Sequence, residues 1–302
     1  MRLSRFLPRR LRRYLQPPPA DPAARPYRLE QIPRHAPVNP LTAHRTNVYS
    51  QDGEDSVLAR IFEILPPRHR YCVEFGALDG EILSNCCNLI RHADWSGCFI
   101  EAHAARFRTL LDKHGKNPRV TCVQRYIALE GPNTLDNVLA EAGAPADLDL
   151  ISIDIDGLDW FVWRSLARHA PRVVVIEFNP SIPNDVIFVQ APDARVNQGC
   201  SLAALVELGR EKGYALIACT GWNAFFVREE DFPRFGIQNN DIDTLYRPMM
   251  DGRIFHGYDG RLFITGMPRL IWSKVQVDME KIQLLSPEER GQRDGPSASE
   301  RM

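Results

Sequence analysis

The chain has no paired-cysteine motif, no membrane-length apolar run and almost no net charge. Each absence removes a class of protein. Its seven cysteines, Cys72, Cys86, Cys87, Cys98, Cys122, Cys200 and Cys219, are odd in number and form no CxxC pair. That argues against a disulfide framework and for a reducing compartment, so a cytoplasmic location is expected. Cys72, Cys98, Cys122 and Cys219 each lie inside an apolar run and read as small buried hydrophobes. No stretch approaches the roughly 20 apolar residues of a membrane span. A formal net charge of -1 leaves no global field to draw the chain to nucleic acid, which is not expected as a partner. There is no internal repeat, and the apolar core of a secretory signal is missing from the first residues.

What remains is globular. The 302 residues, 44% hydrophobic, suit one large domain with tails or two small ones. Residues 1–16, MRLSRFLPRRLRRYLQ, carry six arginines and no acid, interleaved with Leu3, Phe6, Leu7, Leu11, Tyr14 and Leu15. Three readings are open. The segment is a basic amphipathic stretch making weak peripheral contact with anionic membrane lipid, an organellar transit peptide, or a soluble basic tail. Pro8 and the Pro17-Pro18-Pro19 stop weigh toward the tail. The Pro-, Ala- and Arg-rich residues up to 45 read as linker, and residues from about 286 as disordered.

Between the tails, apolar runs alternate with amphipathic stretches. Strands are predicted at 71–75, 98–101, 120–123, 148–155, 173–178, 214–219 and 224–227. Helices are predicted at 83–92, 104–114, 133–142, 159–168 and 201–213, with another carried by Val57, Leu58, Ile61, Phe62 and Leu65. Such alternation implies a mainly parallel seven-stranded sheet with helices on both faces. The continuous apolar fourth and fifth strands fit its centre. The last two strands follow each other too closely for a helix between them and suit an antiparallel pair. Residues 254–263 read as a hairpin around Asp259-Gly260, with His256 on its surface.

Ligands of such sheets bind at the carboxyl ends of the strands, near the switch in strand order. The first strand ends Glu74-Phe75-Gly76-Ala77-Leu78-Asp79-Gly80. Gly76 permits a tight turn and close backbone approach, and Gly80 does the same where the next element begins. No GxGxxG is present, which argues against a nicotinamide dehydrogenase. S-adenosylmethionine (SAM) has no pyrophosphate and needs no such cradle. Glu74 suits its cationic amino-acid end through water. Glu101 ends the second strand 25 positions after Gly76, an offset suited to both ribose hydroxyls. The expected SAM contacts are Glu74, Gly76, Ala77, Asp79, Gly80 and Glu101. A plain turn with a surface acid is the competing account. His103 is either an adenine contact or a helix-start surface residue.

The fourth strand runs into Asp154-Ile155-Asp156-Gly157, and the fifth into Glu177-Phe178-Asn179. Residues two apart on a strand share a side, so Asp154, Asp156, Glu177 and Asn179 are expected to converge and handle the acceptor. One of these carboxylates would act as general base. The four are also oxygen donors of the kind Mg2+ takes, although no metal is assigned. The competing account makes Asp156 a helix cap and the others structural acids.

Tyr49 to Asp55, Val73 to Gly80, Ser84-Asn85, Trp95-Ser96-Gly97, Ile100-Glu101 and Ile153 to Gly157 together resemble the FkbM-type methyltransferases, most closely their uncharacterised bacterial relatives. The resemblance covers roughly residues 47–230. It implies a Rossmann-like class I SAM-dependent methyltransferase fold over 46–275, flanked by the tail and linker 1–45 and a C-terminal tail 276–302. It also implies O-methylation of hydroxyls on sugars or natural products. Two features depart from the family. Asp156-Gly157 stands where a Glu-Gly pair is usual, and 179–198 looks more like the uncharacterised members.

On the acceptor side, the connection 180–200 is long enough to be functional, as a lid or acceptor loop, or to be an Ω-like loop that satisfies itself. Asn184, Asp185, Gln190, Asn197, Gln198, Trp222 and Asn223 offer amides and an aromatic ring, which suit a sugar or polyol. The segment Gln51 to Asp55 is placed to reach over the cofactor. The alternative function is a non-catalytic module of the same fold, recognising a glycan or a membrane-associated assembly. Oligomeric state is not legible.

Overall fold

The computed structural model describes residues 39–248, 252–266 and 269–290. The Arg-rich segment 1–16, the linker up to residue 38 and residues 291–302 lie outside them, and with them most of the tail expectations. Among the described residues, no helix is long and apolar enough to cross a membrane.

The first helix is α1 (Glu54–Ile64), followed by β1 (Tyr71–Phe75) and α2 (Cys87–His92). Then come β2 (Ser96–Glu101), α3 (Ala104–His114), β3 (Val120–Gln124) and α4 (Leu135–Glu141). The second half holds β4 (Leu150–Ile153), α5 (Asp159–Ser165), β5 (Val173–Glu177), α6 (Leu202–Glu211), β6 (Tyr214–Cys219) and β7 (Asn223–Arg228). The seven strands form one sheet in the order β3-β2-β1-β4-β5-β7-β6. β7 alone runs antiparallel, to both β5 and β6. This is the mainly parallel, seven-stranded, Rossmann-like sheet that the alternation of runs and the resemblance both predict.

Strand order reverses between β1 and β4, and register makes that point a site. Phe75 lies opposite Ile100 on one side and Ile153 on the other, and Ile153 opposite Ile176. Gly76, Glu101, Asp154 and Glu177 are each the next residue. They therefore leave the sheet along one line, at its carboxyl edge.

Both faces are covered. Val73, Phe75, Ile151, Ile153, Val174, Ile176 and Phe226 face one core cluster, with α4, α5 and α6. Cys72, Phe99, Leu150, Val173, Val175 and Phe225 face the other, with α1, α2 and α3. The alternation along each strand is the period-two geometry of the pleat. All seven cysteines are free thiols, six of them buried. Cys122 is only half-buried because β3 is the edge strand.

Several predicted elements are longer than the real ones. The strand predicted at 148–155 spans only Leu150–Ile153. The helix predicted from 83 starts at Cys87, because Leu83 takes a left-handed φ of 59°.

Acidic side chains fasten the loops. Asp55 Oδ2 accepts the N–H groups of Val48, Tyr49 and Ser50 at 2.7, 2.8 and 2.9 Å. Asp149, fully buried, accepts those of Arg68 (2.7 Å) and His69 (2.8 Å) and lies 3.6 Å from Arg172. A second, smaller compact unit comprises 254–265 and 278–290 among the described residues. In it β8 (Arg253–His256) pairs with β9 (Leu262–Thr265), the predicted hairpin. Gln283 clasps Leu262 through N–H (2.9 Å) and carbonyl (3.0 Å) bonds. Residues 286–290, expected to be disordered, form a turn closed by Ser286 and Glu289. The short strands β10 (Arg269–Leu270) and β11 (Val275–Gln276) belong to the larger unit.

Asp149→Asn should cost about 3 kcal/mol, because its amide turns a donor toward a backbone N–H and leaves buried Arg172 with Asp231 as its one remaining acidic neighbour. Urea unfolding measures this. A loss below about 1 kcal/mol would show that the carboxylate is replaceable.

Candidate functional site

A cavity of about 670 Å³ opens at the carboxyl edge of the sheet, in the size range of small-molecule sites. One end is built from the loop after β1. The N–H groups of Gly76 and Ala77 both donate to Ile100 O at 3.1 Å. Gly76 has a φ of 83°, and a Cβ there would lie 1.8 Å from the Asp154 carbonyl oxygen, so only glycine fits. Leu78, left-handed at φ 51°, donates its N–H to Glu101 Oε2 at 3.0 Å, and His103 N–H donates to Oε1 at 2.7 Å. The loop is thereby closed on the Glu101 carboxylate, which lines the cavity. Each of its oxygens retains a lone pair for a further donor.

Glu74 lies behind this loop, buried. It accepts the Ser84 hydroxyl and the Asn85 N–H (2.7 Å), and Asn85 continues to Ser152 Oγ at 3.0 Å. Burial pushes its carboxyl up to about 7, against those hydrogen bonds. Ser84 and Asn85, noticed in sequence only as part of a resemblance, thus tie Glu74 down.

Two expected contacts face elsewhere. Asp79 and Gly80 do not line the cavity. Asp79 accepts the N–H groups of Glu81 (3.0 Å) and Ile82 (2.9 Å) and the Lys113 ammonium (2.8 Å). Burial opposes, but these donors hold its carboxyl below the usual range. Gly80 packs on Leu110 and His114 of α3. The glycine–acid–glycine pattern builds the loop, but only its first half reaches the cavity.

At the other end, Asp154, Asp156 and Glu177 bring carboxylate oxygens within 4.8 Å of one another. The reason differs from the strand alternation expected. The strand stops at Ile153, and Asp156 sits on a left-handed bend at φ 58°. That bend is held by Asp159, absent from the sequence-derived site, whose carboxylate accepts the N–H groups of Ile155 (2.9 Å) and Gly157 (2.8 Å). Nor is Asp156 a helix cap: Leu158 occupies that position without a side-chain bond. Burial raises Asp154 to about 8, reinforced by Asp159, Asp156 and Glu74. Burial also raises Glu177, followed by the charge of Asp154. Asn179 lies apart from the main cavity. Its Oδ1 closes a turn on Ser181, its Nδ2 donates to Gln198 O (2.9 Å), and it lines a small neighbouring recess with Asp156 and Glu177.

The 180–200 connection folds around buried Gln190. Its Oε1 accepts the N–H groups of Gln198 and Gly199, both at 2.8 Å, and its Nε2 donates to Val196 O at 2.8 Å. The intervening residues supply Ala194, Val196 and Asn197 to the cavity wall. Trp222 lines the wall beside Trp272, ring centroids 6.3 Å apart and edge-on. Trp272 had no signal in sequence, being far along the chain from the strand ends that mark the site. Asn184 is turned to Asp243, and buried Asn223 donates to Glu54. Of the Gln51–Asp55 segment, only Gln51 reaches the cavity, since Glu54 and Asp55 are spent on backbone N–H groups. His103 begins α3 and lines the cavity.

No known family model and no curated protein matches this chain, so the FkbM-type resemblance stands on the quoted motifs alone. Solved structures do match. The N-terminal domain of EvdMO1 with SAH bound is 16% identical with a TM-score of 0.40, over 60% of this chain and 82% of that one. An O-methyltransferase family protein from Burkholderia thailandensis is 15% identical at 0.37, over 58% of this chain and 59% of that one. NcsB1, an O-methyltransferase from neocarzinostatin biosynthesis in complex with S-adenosyl-L-homocysteine and 1,4-dihydroxy-2-naphthoic acid, is 16% identical at 0.34, over 58% and 57%. The chain thus spans under two thirds of the latter two. Identities and scores this low carry no inference about what this chain binds.

Gly76 and Gly131 make a controlled pair. Both have φ near 80°, but nothing lies within 4 Å of a Cβ at Gly131. Gly131→Ala should cost about 1 kcal/mol, the left-handed penalty alone. Gly76→Ala should cost about 3 kcal/mol or more through overlap with the Asp154 carbonyl. Equal losses on urea unfolding would mean that the contact with Asp154 is not a constraint.

Proposed function

We propose that this chain is a SAM-dependent methyltransferase of FkbM type that methylates a hydroxyl of a small polyhydroxylated acceptor, a sugar or natural product. The observation that carries it is the Glu101 carboxylate, facing a large cavity at the strand-order switch with a glycine loop closed on it by the Leu78 N–H.

The donor set fits SAM. Two carboxylates, Glu74 and Glu101, suit a ligand with a positive charge and vicinal hydroxyls, and the bare backbone at Gly76 admits it closely. When bound, SAM supplies a methyl group on a positively charged sulfur. The rest is the chain's work. Glu101 holds the ribose hydroxyls with the lone pairs that Leu78 and His103 leave over. Ala77 and Leu78 form the adjoining wall, and Glu74 faces the amino-acid end. Asp79 and Gly80 keep the loop in shape from outside the cavity.

At the far end, Asp154 and Glu177 receive the acceptor proton as its oxygen gains the methyl group. A carboxylate whose proton affinity is raised toward neutrality is the better general base there. Asp156, exposed beside them, gives the proton a route to water and offers the acceptor a second acceptor group. Trp222 and Trp272 present ring surface to the acceptor, and Asn197 an amide. Positioning supplies most of the remaining rate.

Glu101→Ala should weaken S-adenosylhomocysteine binding at least tenfold in calorimetry while the chain still unfolds cooperatively, at a lower midpoint because the Leu78 and His103 N–H groups lose their acceptor. Unaltered affinity would remove the site assignment. Turnover of an acceptor found by screening sugars and polyols should climb between about pH 7 and pH 9. The base works only when deprotonated, and its raised pKa moves that limb upward. Asp154→Asn should lower kcat about 100-fold or more and shift the remaining limb to lower pH, because Glu177 loses the neighbouring charge that helps to raise it. Cofactor binding without methyl transfer to any hydroxyl acceptor would favour a non-catalytic module.

A further inference from the structure

His114, the last residue of α3, is 2% exposed and its Nε2 has no hydrogen-bond partner. It faces Phe99 of β2 edge-on, ring centroids 4.9 Å apart. Above it lies Gly80. A Cβ on Gly80 would come within 2.7 Å of His114 Cδ2 and 2.8 Å of Nε2, so ring and loop are in full contact. Gly80 in turn donates its N–H to Ala77 O at 2.7 Å, closing the turn that presents Ala77 and Leu78 to the cavity. A buried imidazole is thus the floor of the cofactor loop without touching the cofactor space.

We propose that His114 is a positioning residue for the loop 76–80: the neutral ring supports the turn, and protonating it releases the loop and weakens cofactor binding. The cofactor half rests on the methyltransferase reading; the loop half does not.

The surroundings disfavour a charged ring. Arg91 from α2 and Lys113 from α3 both oppose a cation. Glu81 favours one, but it is hydrogen-bonded to both Arg91 and Lys113. Asp79 is held by Lys113 as well. β2 offers only Phe99. Burial, followed by Arg91, holds the imidazole below its usual range, with Glu81 and the Gly80 backbone opposing. Because the folded state resists the proton, the unfolded or loosened state binds it more readily. Loop stability is therefore complete above the ordinary histidine value of about 6.5 and falls as the pH drops below it.

Two measurements on the full chain test this. In hydrogen exchange corrected for intrinsic rates, the ligand-free peptide covering 76–82 should lose several-fold protection, up to about tenfold, between pH 7.5 and 5.5. His114→Gln, which keeps a buried polar side chain of similar reach but cannot take up a proton, should keep its protection constant. In calorimetry with S-adenosylhomocysteine, the parent should lose about tenfold more affinity over that range than His114→Gln. The comparison is needed because Glu74 takes up a proton over the same range and affects both proteins alike. His114→Phe serves as the second non-titrating variant should glutamine not fold. Equal pH dependence in parent and variant, by either measurement, overturns the proposal. Absence of S-adenosylhomocysteine binding at every pH would overturn the methyltransferase reading, while exchange still decides the role of His114.

Discussion

Everything at the site depends on the parallel pairing of β1 with β2 on one side and β4 on the other. Parallel neighbours end together, so one register line brings Gly76, Glu101, Asp154 and Glu177 to a common edge. The reversal of strand order there separates the loops that follow and leaves room between them. Gly76 shows how tight this is, since the carbonyl of Asp154 fills the space where any other residue would carry its Cβ. A shift of one residue in either pairing would turn every core side chain to the wrong face.

The protein buries many acids, and what each receives from the backbone separates two kinds. Asp55, Asp136, Asp149 and Asp159 each accept two or three N–H groups, and all of them hold loops. Such donors repay the desolvation of a carboxylate. Among the described residues, Asp154 and Glu177 have no such N–H partners, and their neighbours are other acids, Asp156 and Asp159. Their proton affinity rises accordingly. Glu101 stands between the kinds, anchored by two N–H groups yet open to the cavity.

The sheet was legible because central parallel strands announce themselves as unbroken apolar runs, and because amphipathic stretches separate them. Glu74, Gly76, Ala77, Glu101, Asp154, Asp156 and Glu177 were found because strand ends are where such sheets work, and all seven line the cavity. What sequence hid was orientation within loops. Asp79 and Gly80 lie in the same motif as Gly76, but a left-handed Leu78 turns the chain away before them. Asp156 converges with Asp154 through a bend held by Asp159, where strand alternation had been invoked. Trp272 reaches the cavity wall, and His114 the underside of the loop at Gly80, through tertiary packing, which leaves no local periodicity to read.

Gln190 ties together both ends of the segment 191–198 with a single amide, and Gly157 packs against it. The stretch between is fastened at its base and rests on no core element of its own. Such a loop can be lengthened, shortened or exchanged while the sheet, the cofactor loop and the acid pair stay as they are. The architecture therefore leaves one wall of the cavity as a separable part, whose shape can change without moving the strand ends that build the rest.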